Sequence, residues 1–161
     1  MIERRPFHEL PSEDLGWLKA RRHFSSAAKD DPSRSGWGSA RIFQMWVTPA
    51  SPGGSPAWGV QPCPKPERSG CFVAIASGFD SDRDALPIRA RARVLNAKLK
   101  VLESIEYVLR EPRLAYLVPS TGTVDVNGVR IHARDGAAIK DVDMVTITAI
   151  EDADVLMVDV L

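Results

Sequence analysis

The residues that most often carry chemistry are scarce in this chain. Among 161 residues there are two cysteines and three histidines. Cys63 and Cys71 bracket "PKPERSG", a spacing that fits neither a redox C-x-x-C pair nor half of a zinc ribbon. They read as plain reduced thiols, with a short-loop disulfide as the alternative. Neither sign of charge is in surplus, since 21 Lys and Arg balance 21 Asp and Glu. A neutral chain has no long-range field to gather nucleic acid or an anionic membrane surface, so direct binding of either is not expected. No apolar run approaches a membrane span, and the opening "MIERRPFHELPSEDL" lacks the apolar core of a signal peptide. A cytoplasmic location is the resulting expectation. The sequence also contains no G-x-S-x-G elbow, Walker loop or G-x-G-x-x-G string. Internal repeats, heptads and low-complexity tracts are absent as well.

What is present divides into three stretches, within a length suited to one ordinary domain. Residues 1–40 are polar and charged, with isolated aromatics at Phe7, Trp17, Phe24 and Trp37, and read as an arm. Residues 41–70 hold a short strand and a linker. Ile42, Phe43, Met45, Trp46 and Val47 form the apolar run of the strand over 41–48, ended by Pro49. The linker "PASPGGSPAWGVQPCPKPERSG" is dense in Pro, Gly and Ser and carries Trp58.

From residue 71 to 161 short β-rich runs alternate with turn residues, the pattern of a sandwich or barrel. Among them are "CFVAIAS", "ALPIRARARVL", "AKLKVLES", "IEYVL", "RLAYLVP", "MVTITAI" and "DVLMVDV". The clearest is "TVDVNGVRI", in which Asn127-Gly128 supplies the two positive-φ positions of a type I′ hairpin turn. Residues 94–109 are ambiguous, because Leu95, Leu99, Leu102 and Leu109 also share a helical face. The alternation of Ile105, Tyr107 and Leu109 and the β character of the neighbouring runs favour strands there.

Candidate chemistry is thin. A mononuclear metal site needs several imidazoles and a carboxylate converging on one ion, typically with two His on the same strand face. His8, His23 and His132 are the whole supply, and none forms His-x-His. Strand periodicity sets His132 on one face with Arg130 and Arg134, a solvated face. Of Asp141, Asp143, Glu151, Asp152 and Asp154, most sit in turn-like positions flanking strands, where carboxylates solvate chain ends and bond local backbone. Cys63 lies between prolines with nothing evident to lower its pKa. Arg89, Arg91 and Arg93 would share a strand face, either as an anion site or as charge that blunts edge aggregation. Tyr107 and Tyr116 are candidates to line a barrel cavity, or else core residues with satisfied hydroxyls.

The strings "GWLKARRHFSSA", "DDPSRSGWGSARI" and "FQMWVTPA", followed by "VNGVRI", "RDGAAI" and "DADVLMVDV", resemble the pirin and bacterial quercetinase-like branch of the cupin superfamily. One departure is Ser26, which stands where that family usually has an aromatic. The resemblance implies an all-β, cupin-like (double-stranded β-helix, jelly-roll) barrel formed mainly by residues 71–161 together with strand 41–48, with an N-terminal arm laid across it. In such two-barrel relatives the core of the first barrel carries His-x-His, Glu and distal His metal ligands, and it lies between the segments matched here by "GSARI" and "FQMWV". Here those two strings are contiguous, so the resemblance implies that the ligand-bearing core is missing and that His23 has an aromatic-packed structural role.

The expected function is therefore a metal-free structural, binding or protein-interaction module without a cofactor. The alternative is a quercetin 2,3-dioxygenase-like enzyme whose metal site is assembled between subunits. Trp17, Trp37, Trp46 and Trp58, with Phe24, are the expected interface residues of a homodimer, and Trp37 and Trp58 those for a further protein partner. Large aromatics left in water forgo about 1.5–3 kcal/mol each.

Overall fold

The computed structural model describes residues 1–6, 18–19, 43, 45–55, 57–62, 70–110 and 112–161. Two compact units are distinguished, one of Met1–Leu10 with Pro49–Leu161 and one of Pro11–Thr48. In chain order the strands are β1 (Ile2–Arg5), β2 (Leu18–Lys19), β3 (Trp46–Val47), β4 (Val73–Ser77), β5 (Leu86–Pro87), β6 (Ala92–Leu99), β7 (Ser104–Val108), β8 (Leu114–Thr121), β9 (Val124–Val126), β10 (Val129–Ile131), β11 (Gly136–Ile139), β12 (Met144–Ala149) and β13 (Ala153–Val160). No helix among the described residues is long and apolar enough to cross a membrane. The all-β expectation holds, and residues 94–109 are strands.

In the first unit, seven strands pair in the order β1-β11-β8-β13-β6-β4-β5 and four in the order β10-β9-β12-β7. Period-two patterning decides what each strand turns inward. Val145, Ile147 and Ala149 of β12 are buried while Met144, Thr146 and Thr148 point away. The same alternation brings Leu95, Ala97 and Leu99 of β6 and Val155 and Met157 of β13 into one core with Ile105, Val124, Val126 and Ile147 of the smaller sheet. Each large aliphatic buried this way contributes about 1.5–3 kcal/mol. The turn between β9 and β10 is the one expected from Asn127-Gly128, with φ of 48° and 87°.

Three differences from the sequence reading have physical causes. The strand expected over 41–48 is, among the described residues, confined to β3, which pairs with β2 inside the second unit. The opening residues of the arm form β1, which pairs with β11 from Ile2↔Ile139 to Arg5↔Gly136 and extends the large sheet; Arg4 clasps buried Asp135 at 2.7 Å. The run "ALPIRARARVL" is broken between β5 and β6, so Arg89 and Arg91 lie in a bend and only Arg93 is on a strand. The three-arginine face is therefore not formed. Arg89 instead donates to the Ser55 carbonyl at 2.7 Å.

Candidate functional site

The inward phase of β6 and β13 continues past the apolar core into charge. Arg93 follows the phase of Leu95 and Ala97, and Asp159 follows that of Val155 and Met157. The two residues are direct cross-strand partners in the β6–β13 ladder. Asp159 is 0% exposed, so its carboxylate must be matched from within. Arg113, just before β8, donates through Nε to Oδ1 at 2.7 Å, and its Nη2 lies 2.6 Å from Oδ2 without an N–H aimed along that line. Tyr107, reaching across from the four-stranded sheet, donates its hydroxyl to Oδ2. Arg93 Nη1 stands 3.8 Å away.

A second carboxylate completes the cluster. Asp82, in the loop after β4, accepts from Arg93 Nε at 2.7 Å and from Ser77 Oγ at 2.5 Å. The Phe79 ring lies beneath both guanidiniums, with Arg93 Cζ at 4.3 Å and Arg113 Cζ at 5.1 Å from its centroid, a cation–π arrangement. Burial alone would raise the Asp82 pKa, but the hydrogen bonds from Ser77 and Arg93 outweigh it and hold the carboxyl below its usual value. Burial likewise works against the Arg93 cation, and the bond and charge of Asp82 more than offset it. Burial pushes the Tyr107 hydroxyl well above its ordinary value, and donation to Asp159 adds to that shift.

These charges neutralise one another. The Tyr107 proton is held by a carboxylate, and each carboxylate already accepts from an arginine, so the cluster offers neither a free general base nor an activated nucleophile. Its physical role is a polar latch across one end of the core. Beside it runs a groove of about 860 Å³ between β4, β6 and β7, lined by Phe72, Ala74, Leu95, Ile105 and Tyr107 as well as the Asp82–Arg93 pair. Phe72 and Tyr107 meet edge to face there, 5.6 Å apart at 81°.

The residues singled out from sequence are dispersed. Tyr107 lines the groove, whereas Tyr116 lies on the other face of its sheet, since its neighbours Ala115 and Leu117 take the core side. Tyr116 is 8% exposed, and its hydroxyl fills the space a Cβ on Gly136 would need. Trp58 is 92% exposed in the linker. Trp46 belongs to β3, but its side chain, like Trp17, His23 and Trp37, lies outside the described residues. His132 follows β10, is exposed, and has Nδ1 3.4 Å from Thr123 Oγ1, which itself donates to Glu151 at 2.8 Å.

Asp159, Arg113, Asp82 and Phe79 were not picked out from sequence as site residues, and Arg93 was considered only as part of a three-arginine strand face. The available signal was a charge at an inward phase, Asp159 after Val155 and Met157. Its partners are remote in sequence and could not be named from the pattern. As a test for a metal, the donor set fails among the described residues: no group of three or more His, Cys, Asp or Glu converges, and the two carboxylates that do approach the core end are each paired with arginine.

Comparison with known proteins now places this architecture. Residues 74–160 match the model of the quercetinase C-terminal cupin domain. The chain is 39% identical to a pirin-like protein of Caulobacter vibrioides, covering 99% of each chain. It is 36% identical to a Pseudomonas aeruginosa protein provisionally named for quercetin 2,3-dioxygenase activity, covering 99% of this chain and 100% of the relative. The alignment with the Caulobacter protein runs over 230 positions, whereas this chain has 161 residues, so at least 69 positions (230 less 161) face a gap. The crystal structure of the Escherichia coli pirin YhhW in complex with nickel(II) shares the fold, with a TM-score of 0.74, 18% identity and 99% coverage of both chains. The chain belongs to the pirin family of cupins, and β4 to β13 form its quercetinase-type C-terminal cupin domain.

Proposed function

We propose that this chain is a pirin-type cupin working as a metal-free binding and protein-interaction module, with no catalytic site of its own. The observation that carries the reading is the donor set: three histidines in the whole sequence, none in His-x-His, and arginine-paired carboxylates where polar side chains enter the core end. The gap of at least 69 positions against the Caulobacter relative supports a shortened first barrel, with the missing stretch between "GSARI" and "FQMWV". In this reading the protein is a cytoplasmic homodimer. The aromatics Trp17, Trp37, Trp46 and Trp58 are buried against a second copy or a protein partner, because large apolar side chains left in water mark interfaces. Co-purification of a defined partner that is lost on changing Trp58 supports the interaction role.

The second reading is a quercetin 2,3-dioxygenase-like enzyme with a metal held between subunits. It is favoured by the likeness to the Pseudomonas protein provisionally named for that activity and to the nickel(II) complex of YhhW. Metal content separates the two. Untagged protein without stoichiometric iron, nickel, copper or manganese supports the module, and a stoichiometric ion supports the enzyme.

A further inference from the structure

All five residues of β7 line the groove, including inward Ile105 and Tyr107 and outward Ser104, Glu106 and Val108. Both faces of one strand can border a single hollow only if the hollow runs along the strand's edge. The ladder shows which backbone groups that edge presents. Leu109 N–H bonds the Asp143 carbonyl and Ala149 N–H the Glu103 carbonyl, so the odd-numbered residues face β12. Asn127 N–H bonds the Thr146 carbonyl and Thr146 N–H bonds Asn127 Oδ1, so Thr146 turns away from its partner Glu106. Ser104, Glu106 and Val108 thus direct their N–H and C=O groups outward. Among the described residues β7 pairs with β12 alone and ends its sheet.

The hollow is roomy enough for an extended segment. Five residues span about 17 Å, and an open groove of about 860 Å³ runs beside them. Below the edge lie apolar Phe72, Ala74 and Leu95 together with the Asp82–Arg93 ion pair. At the centre of the edge stands exposed Glu106, which has no ion-pair partner among the described residues.

We propose that this groove receives an extended peptide segment of a protein partner, added as a fifth strand beside β7, with a Lys or Arg facing Glu106 and apolar residues on either side turned inward. Residues facing Ile105 and Tyr107 enter the floor, while the residue facing Glu106 stays outside with it. A second copy suits the groove poorly. The register of fullest overlap between two β7 edges sets Glu106 against its own counterpart, and like charges directly opposite repel. This inference rests on the interaction-module reading and names the partner's chemistry.

The test is fluorescence anisotropy of full-length protein with a labelled Ser-Thr-Val-Lys-Val-Thr-Ser peptide. Saturable binding is expected. Glu106→Lys should weaken it about three- to tenfold, the range of exposed cross-strand charge pairs and their reversal, and a peptide with Glu in place of Lys should recover that loss. Glu106→Pro should abolish binding of both peptides while leaving the β7–β12 ladder intact, because the N–H it removes points outward; an unchanged circular dichroism melt checks that the fold survives. Absence of binding to wild-type protein, or undiminished binding to the proline variant, overturns the proposal. So does self-association that the proline variant abolishes and the peptide competes away, which assigns the edge to a second copy. Metal content is read separately, so a failed titration leaves the module reading standing, and a bound stoichiometric metal overturns that reading whatever the peptide does.

Discussion

Tyr107 donates its hydroxyl to the carboxylate of Asp159, and that bond ties the four-stranded sheet to the seven-stranded one at the end of the core. Asp159 has no contact with water, and its carboxylate accepts from Tyr107 and Arg113. Removing one partner of a buried, hydrogen-bonded charge leaves the other uncompensated, which costs more than the bond itself contributed. Asp159→Asn is expected to lower stability by about 3–5 kcal/mol, and Tyr107→Phe by about 1–3 kcal/mol. Urea denaturation measures both. Equal, small losses would mean that the cluster is hydrated and not a latch.

The same hydroxyl predicts an alkaline weakness. The folded-state pKa of Tyr107 is raised, by burial first and by Asp159 second, above the ordinary tyrosine value of 10.0. Below pH 10 the unfolded and folded states both hold the proton, and the contribution is fully present. As pH rises past 10 the unfolded state releases the proton first, so stability falls toward the folded pKa. Melting temperatures between pH 9 and 11 should therefore drop more steeply for wild-type protein than for Tyr107→Phe.

Acid should act through Asp82 in the opposite sense. Its folded pKa is lowered below 3.8, burial being outweighed by hydrogen bonds from Ser77 and Arg93. That contribution is present above the unfolded value and is lost as pH falls through the folded one. Asp82→Asn should flatten the decline of stability below pH 4 relative to wild type, as read by urea midpoints.

Gly136 offers a steric test of the larger sheet. A Cβ there would meet the Tyr116 hydroxyl, so Gly136→Ala is expected to cost about 1–3 kcal/mol through overpacking. Tyr116→Phe should relieve part of that loss in the double variant, a coupling that a double-mutant cycle detects. Additive losses would show that the alanine is accommodated elsewhere.

Assembly gives a further outcome. Trp58 is almost fully exposed in the single chain, and the proposed homodimer buries it. Sedimentation velocity at micromolar concentration is expected to give the dimer mass, with Trp58→Ser shifting the protein toward monomer. A monomeric wild type contradicts the dimer.

Much of the fold was legible because one face of each strand is buried and the pattern of two survives in the residues themselves. Val145, Ile147 and Ala149 announce β12, and Asn127-Gly128 announces its hairpin through the φ values that pair tolerates. The ambiguity over 94–109 resolves at Leu102, which completed the helical stripe on paper but sits exposed at the β6–β7 turn with φ of 69°. Strand β1 was missed because four residues at a sheet edge, in which half-buried Ile2 and Arg5 lie on opposite faces, carry too little periodicity to stand out. The candidate site was the least legible part. A charge in phase with core residues signals that Asp159 needs partners, but Tyr107 and Arg113 lie 52 and 46 residues away, brought to it by the packing of the two sheets and by the β8–β13 ladder.

The proposed module is a pirin-family chain that keeps its C-terminal cupin domain and holds no transition metal of its own. Elemental analysis of untagged protein, expressed with iron, nickel, copper and manganese supplied and then dialysed free of loose ions, tests it most directly. The account predicts substoichiometric metal for all four, in monomer and dimer fractions alike. One equivalent of any of them per chain, or one per dimer, would contradict it.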